Sequence, residues 1–156
     1  MSTFGERFKR RSFWIISRIC FTGYRLFPIF GRLRAAIGII HRDGRFLVIE
    51  RNDGRGLSLP GGLSSWREQE ETTLRREVNE ETGLEVIGLA LKTRYPSKAE
   101  LPCFISVFEV EVSGELRESW EGTPRWKTIE EIESGLLRSQ QPVIELMKEI
   151  SGRRNQ

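Results

Sequence analysis

The chain has 156 residues, 38% hydrophobic and 30% charged, with a formal net charge of +3. This length fits one domain with a substantial core, and the composition argues against a low-complexity, collagen-like or disordered chain. Two cysteines, Cys20 and Cys103, match no metal-ligand spacing and favour a reduced, cytoplasmic protein. The single histidine, His41, lies in an apolar run, which argues against histidine-based catalysis and predicts a strand residue.

The first segment differs in charge from the rest. Residues 1–34 hold eight basic side chains against Glu6 alone, so the remainder is mildly acidic. Arg11, Arg18 and Arg25 recur every seven residues, which places them on one stripe of a helix with apolar side chains roughly opposite. We predict that residues 1–33 form a basic, apolar, helical N-terminal arm. Its interspersed arginines fit neither a transmembrane span nor a cleavable signal peptide.

Two interpretations of the N-terminal arm remain open. It packs on its own domain or on a second copy in a homodimer, or residues 7–34 make peripheral contact with an anionic membrane surface. The second interpretation would make a cytoplasmic protein membrane-associated. Charge alone would permit a nucleic-acid partner, but no more specific feature supports one, and we predict none.

After Arg34 the pattern alternates between strands, turns and helices. We predict strands at 35–41, 46–50, 57–59, 84–94, 103–112 and 126–129, a hairpin turn at Asp43-Gly44 and a loop at Pro60-Gly61-Gly62. We predict helices at 67–82, 130–133 and 142–150, with Gly83 as a left-handed C-cap and 151–156 as a polar tail. This order predicts an α/β fold in which helices cover both faces of a mixed sheet.

The predicted helix at 67–82 carries a group of carboxylates. Glu77, Glu80 and Glu81 stand at i, i+3 and i+4, so all three lie on one face within a single turn. A face of several carboxylates suits Mg²⁺ or Mn²⁺, which take oxygen ligands and retain positions for water and phosphate oxygens. Arg76 adjoins the group and is placed to pair with Glu68, which would hold Glu77 in one orientation.

The stretch from Gly62 to Leu84 resembles the Nudix box. That motif reads Gly, five residues, Glu, seven residues, Arg-Glu, an apolar residue, any residue, Glu-Glu, any residue, Gly and an apolar residue. Every defined position is filled, by Gly62, Glu68, Arg76, Glu77, Val78, Glu80, Glu81, Gly83 and Leu84. The resemblance covers residues 34–150, and the N-terminal arm lies outside it. Many members have a glutamate and a glycine at the positions of Ser65 and Arg67, and a tryptophan at that of Leu57.

The resemblance implies a Nudix-like α/β/α sandwich in which the box forms a loop, a helix and a loop. It implies a Mg²⁺ site, with Mn²⁺ as a substitute, whose ligands are Glu77, Glu80, Glu81 and the carbonyl of Gly61. Glu68 and Arg76 would orient the catalytic glutamates. Gly62 and Arg51 are candidate substrate-binding residues, the first because a Gly-Gly backbone permits close approach and the second because a guanidinium matches phosphate oxygens.

The implied activity is hydrolysis of a pyrophosphate bond in a nucleoside diphosphate linked to another group, such as a nucleoside triphosphate or a nucleotide sugar. Water attacks phosphorus and a glutamate accepts its proton. Two sources of that base remain open, namely Glu77 or Glu80 in the box and Glu118 or Glu121 in a late loop. Trp126 belongs either to the core or to a wall that stacks on the base of the nucleotide.

A different class of function is also compatible with the resemblance. A Nudix fold can serve as a catalytically inactive module that senses nucleotides or binds proteins, because one fold hosts many functions. Such a module would be expected to lose part of the glutamate set. This chain keeps all of it, which favours an enzyme.

Overall fold

The computed structural model describes residues 33–153. Its strands are β1 (Leu33–Arg42), β2 (Arg45–Arg51), β3 (Leu57–Ser58), β4 (Gly61–Leu63), β5 (Glu85–Ser97), β6 (Cys103–Ser113) and β7 (Gly122–Lys127). Its α-helices are α1 (Glu70–Thr82), α2 (Ile129–Glu133) and α3 (Ile144–Arg153), and a 3₁₀ helix covers Arg138–Val143. The prediction of a helical N-terminal arm falls outside the described residues.

The strands form one mixed sheet around β1. Its main order is β3-β2-β1-β6-β5, while β4 pairs with β1 and β7 pairs with β2. The β1–β6 pair is parallel and the other pairs are antiparallel. The predicted hairpin at Asp43-Gly44 is confirmed, since His41 lies opposite Phe46 across it. No helix in residues 33–153 combines the length and the apolar character that a membrane-spanning segment requires.

Strand β1 is apolar on both faces because helices cover both sides of the sheet. Ala35, Ile37 and Ile39 belong to a core that includes Ile132 of α2 and three buried side chains of α3, Ile144, Met147 and Ile150. The intervening residues Ala36 and Ile40 point the other way, into a core with Leu74 and Val78 of α1. Successive strand residues face opposite sides, so an unbroken apolar run is expected only in a sheet covered twice. The predicted α/β/α architecture is confirmed.

Helix α1 begins at Glu70, so the prediction of a helix from Arg67 was wrong by three residues. Arg67 has a φ of 61°, a left-handed conformation that no α-helix continues. Gln69, with φ −74° and ψ 144°, is the extended residue that precedes the helix. Helix propensity alone did not reveal this turn. The predicted left-handed C-cap at Gly83 is confirmed by its φ of 74°.

Three other predicted boundaries differ from the structure, and in the two strands tertiary pairing overrides local signals. Gly61–Leu63, predicted partly as a loop, forms strand β4 against β1. The last strand is Gly122–Lys127 rather than 126–129, and it accommodates Pro124 because β7 pairs only with β2. The final helix ends at Arg153, so the predicted polar tail at 151–156 begins too early.

Candidate active site

Three carboxylates of the box lie on the C-terminal half of α1, beside strand β4. Glu81 is the most buried of them, with 3% of its surface exposed. Its Oε2 accepts a hydrogen bond of 2.8 Å from the backbone N–H of Gly61. Gly61 is held opposite Ile37 by the β4–β1 pairing. A side chain at Gly61 would collide with the carbonyl of Ala36, so only glycine permits this approach.

The carboxylate of Glu81 is buried, and its negative charge is only partly compensated by its neighbours. Burial, the largest cause, and the nearby carboxylates of Glu121 and Glu77 together raise the pKa of Glu81 to about 8. The Gly61 N–H and the positive charge of Arg51 oppose this rise but do not cancel it. A buried carboxylate among like charges costs free energy that a bound cation would offset.

Arg76 links the start of the box to its carboxylates. Its Nε and Nη2 donate to the two carboxylate oxygens of Glu68, at 3.0 and 3.1 Å. Its Nη1 donates to Glu77 at 2.8 Å and to Glu80 at 3.2 Å. The predicted pairing of Arg76 with Glu68 is therefore present. The Arg76 guanidinium and the N–H of Ser65 hold the pKa of Glu68 down at about 2.

Glu77 lies over the α-carbon of Gly62. A β-carbon at Gly62 would stand 2.6 Å from Cδ of Glu77, so the second glycine makes room for this carboxylate. Burial raises the pKa of Glu77, although Arg76 opposes the rise. The position of Glu77 thus explains why residue 62 is a glycine. A contact of Gly62 with substrate stays a prediction.

Arg51 ends strand β2 close enough to Glu81 and Glu121 that its charge opposes the rise in their pKa values. Asp53 occupies much of its guanidinium. Nε of Arg51 donates to both oxygens of Asp53, at 3.1 and 3.2 Å, and Nη2 donates at 2.7 Å. Asp53 was not among the residues predicted to have a functional role. Its position two residues after Arg51, next to Gly54, is the signal that could have identified it as the residue orienting Arg51.

The two late-loop glutamates occupy different places. Glu121 is half-buried, and burial raises its pKa, with Glu80 adding to the rise and Arg51 opposing it. Its backbone carbonyl accepts a hydrogen bond from the N–H of Asn52 at 3.0 Å, which ties the loop to the end of β2. Glu118 is exposed and lines a concavity near the end of α1, together with Asn79, Glu80, Gly83 and Arg117. Glu121 is the glutamate that joins the carboxylate group.

The donor set suits a divalent metal although the side chains are oriented toward other partners. Within residues 33–153, no three His, Cys, Asp or Glu side chains converge in a metal-binding arrangement. Arg76 draws Glu77 and Glu80 together, whereas Glu81 turns toward Gly61. All donors are hard oxygens, and the raised pKa of Glu81 shows that its ionised form lacks sufficient stabilisation from nearby positive charge. The residues present therefore fit Mg²⁺ or Mn²⁺ by their chemistry.

Trp126 contributes to the core, as one of its two predicted roles required. Its side chain packs against the α1-facing core, and the guanidinium of Arg42 lies 5.3 Å from its ring centre. It contributes to packing between β7 and the helix layer. Contact of Trp126 with a nucleotide base stays a prediction.

Comparison with known proteins identifies the family. A model of the NUDIX domain matches residues 31–147, well over half of the chain. The chain therefore belongs to the NUDIX domain family. A MutT-like protein of Streptomyces ambofaciens is 46% identical over 48 residues, which are 31% of this chain and 31% of that protein. The match thus spans less than a third of that relative's length.

Several solved structures share the fold of this chain. The ORF135 protein of E. coli superposes with a TM-score of 0.67 at 22% identity, covering 79% of this chain and 93% of its own. The MutT NUDIX hydrolase of Burkholderia pseudomallei gives a TM-score of 0.65 at 23% identity, covering 73% and 96%. At these identities the likeness confirms the architecture, and the particular reaction of this chain is a separate question.

Proposed function

We propose that this protein is a Mg²⁺-dependent hydrolase that cleaves a pyrophosphate bond in a nucleoside diphosphate linked to another group. The observation that carries the proposal is the mutual electrostatic repulsion among Glu77, Glu80, Glu81 and Glu121, with Glu81 buried and its charge incompletely compensated. An inactive binding module has no need of such a costly arrangement. The MutT-like relatives support the same class of reaction.

The candidate ligands of the metal are Glu77, Glu80, Glu81 and the carbonyl of Gly61. A divalent cation bound there would offset the charge of the pyrophosphate oxygens and increase the electrophilicity of phosphorus. Gly61 fixes Glu81 through its N–H, and Arg76 fixes Glu77 and Glu80. These contacts order the side chains in the free protein, and a bound cation would reorient the carboxylates toward itself.

Arg51 is the candidate ligand of a phosphate oxygen. Asp53 binds its Nε and Nη2, which orients the guanidinium at the end of β2. The side chain keeps 21% of its surface exposed, so it remains reachable from solvent. A guanidinium held in one orientation contacts phosphate at lower entropic cost than a mobile surface arginine.

We assign the general base to Glu121 rather than to Glu118. Burial raises the pKa of Glu121 above its ordinary range, toward the value at which a carboxylate accepts a proton efficiently near neutral pH. In this role Glu121 would hold the attacking water and take its proton as the water bonds to phosphorus. The pyrophosphate then breaks at the bridging oxygen, which leaves with the departing phosphate group.

The test is turnover of a panel of nucleoside triphosphates, nucleotide sugars and dinucleotides, measured as release of phosphate, pyrophosphate or nucleoside monophosphate. Activity should require Mg²⁺ and stop on chelation. Glu121→Gln should lower kcat by about 100-fold or more, with little change in KM. Glu118→Gln, in the same loop, is the matched control and should retain activity. Metal-dependent nucleotide binding without turnover across the panel would instead support a sensing module.

A further inference from the structure

A tight turn between β4 and α1 presents two exposed side chains at its tip. The N–H of Glu68 donates to the carbonyl of Ser65 at 3.0 Å, which closes the turn over Trp66 and Arg67. The N–H of Ser65 in return bonds to the Glu68 carboxylate at 2.9 Å. Trp66 keeps 77% of its surface exposed, the largest fraction among the large hydrophobic side chains of residues 33–153.

Arg67 stands in an unfavourable backbone conformation at this tip. Its φ of 61° lies in the left-handed region, which favours glycine and is costly for a side chain with a β-carbon. Folding would be served better by glycine at this position. An exposed arginine kept in such a conformation points to a role outside the folded domain itself.

The turn is tied to the place where residues 1–32 join the domain. The N–H of Ser64 donates to the carbonyl of Arg34 at 2.8 Å, and Nη2 of Arg34 donates to the carbonyl of Glu68 at 3.0 Å. Arg34 is itself exposed and follows Leu33, the first residue of β1. Leu33 and Arg34, which directly follow the basic and aromatic sequence of residues 1–32, therefore lie beside the turn of Trp66 and Arg67.

We propose that Trp66, Arg67 and Arg34 form a docking surface for anionic phospholipid, which we call the Trp66 surface. An indole prefers the boundary between lipid head groups and acyl chains, while arginines are attracted to the negative surface potential. Stable attachment to a membrane generally requires two signals. Residues 1–32 carry many basic and apolar side chains, and the Trp66 surface supplies a second signal from the folded domain.

The sequence favours lipid over nucleic acid as the partner. Arginines alone would suit a phosphate backbone, but the apolar residues that alternate with Arg11, Arg18 and Arg25 along the sequence suit an acyl-chain boundary. The exposed indole beside Arg67 repeats this combination of apolar and basic groups. The proposal does not depend on the hydrolase assignment, since neither Trp66 nor Arg67 belongs to the carboxylate site.

The experiment measures sedimentation of the full-length protein with phosphatidylcholine vesicles that contain or lack phosphatidylglycerol. The wild type should bind only the anionic vesicles, and high salt should weaken binding. Trp66→Ser should lower the partition coefficient roughly tenfold. Arg67→Gly should lower it about fivefold, since one arginine near an anionic surface contributes on the order of 1 kcal/mol.

Two features keep the experiment decisive. Arg67→Gly places glycine where the backbone favours it, so this variant should fold at least as stably as the wild type, and weaker binding would not reflect unfolding. Trp120→Ser removes another exposed tryptophan, 65% accessible, and should leave binding unchanged. Equal binding by the wild type, Trp66→Ser and Arg67→Gly would overturn the proposal. Binding to a short RNA but not to vesicles, lost in both variants, would also overturn it.

Discussion

Two glutamates of the same motif experience opposite environments at the two ends of the box. Glu68 lies before α1, where Arg76 and a backbone N–H stabilise its charge and hold its pKa at about 2. Glu81 lies in the last turn of α1, where burial raises its pKa to about 8. The first carboxylate is satisfied by the protein alone. The charge of the second carboxylate, that of Glu81, is not fully compensated by groups of the protein itself.

The contrast separates a structural role from a ligand-binding role. A residue whose charge is fully paired within the chain stabilises the fold and gains little from a cation. A residue whose charge is buried and opposed by neighbouring carboxylates gains much. Arg76 joins the two regions, because it binds Glu68 with one edge of its guanidinium and Glu77 and Glu80 with Nη1.

Glu81→Gln should have the largest effect on activity. The amide can still accept the Gly61 N–H bond, so the fold should persist, but a neutral oxygen is a poor ligand for Mg²⁺. We expect kcat to fall on the order of a thousandfold or more, with thermal stability in the absence of metal unchanged or higher. Metal-dependent turnover and thermal unfolding measure the two effects. Glu71→Gln, an exposed position on the same helix, is the control. Retained activity in Glu81→Gln would remove it from the metal site.

Arg76→Lys should have an intermediate effect. An ammonium cannot contact Glu68, Glu77 and Glu80 together in the planar geometry that the guanidinium provides. We expect a loss of about 10- to 100-fold in metal affinity or activity, comparable to the loss of other groups that orient metal ligands. Isothermal titration with Mn²⁺ and steady-state kinetics measure these losses. The variant Arg75→Lys, at the neighbouring helix position, should be nearly neutral. If Arg76→Lys bound metal with normal affinity, the role of Arg76 would be confined to packing within the domain.

Stability without metal should depend on pH in opposite directions through the two glutamates. The folded-state pKa of Glu81 is raised to about 8 from 4.5, so its contribution to stability is full below about pH 4.5 and is lost as pH rises through 8. The loss should reach on the order of a few kcal/mol and should be absent in Glu81→Gln. Urea unfolding in a chelating buffer, from pH 5 to pH 9, measures this difference. If the free energies of unfolding of the wild type and Glu81→Gln changed in parallel with pH, this prediction would be wrong.

The folded-state pKa of Glu68 is lowered to about 2, so its contribution is present above about pH 4.5 and is lost as pH falls toward 2. Glu68→Gln should therefore lower the free energy of unfolding near neutrality. It should also weaken the fall of that free energy as the pH drops below about 4.5. The same unfolding curves, extended from pH 5 to pH 3, measure this change. If the free energy of unfolding of Glu68→Gln falls with decreasing pH as that of the wild type does, the ion pair of Glu68 with Arg76 adds no net stability.

Asp53→Asn should have the smallest effect. The amide keeps the shape of the side chain but loses the charge that orients Arg51 through three hydrogen bonds. We expect KM to rise a few-fold with kcat nearly unchanged, because a less ordered guanidinium binds phosphate more weakly in ground and transition states alike. Steady-state kinetics on the best substrate measure the two constants separately. Arg55→Ala, which removes the other partner of Asp53, should matter less. A fall in kcat alone would assign Arg51 to the chemical step.

The sequence predicted the elements that depend on local patterns. An unbroken apolar run predicted β1, the Asp43-Gly44 pair predicted its hairpin, and Gly83 predicted the end of α1. The box predicted which carboxylates share a helix face, because the helical period fixes that relation. It also predicted the contact between Arg76 and Glu68, since the motif holds both residues.

Tertiary structure decided what depends on distant neighbours. Strand β4 exists because β1 pairs with it, and β7 reaches back to Gly122 because β2 supplies its partners. Only the fold distinguishes Glu121 from Glu118, since two glutamates three residues apart in a loop look alike until β2 holds one of them near Glu81. The opposite pKa values of Glu68 and Glu81 likewise arise from burial and from charges on other segments. The sequence by itself determined the identity of the chemical groups, and the tertiary structure decided which charges are compensated, because electrostatic energy depends on distance and solvent exposure.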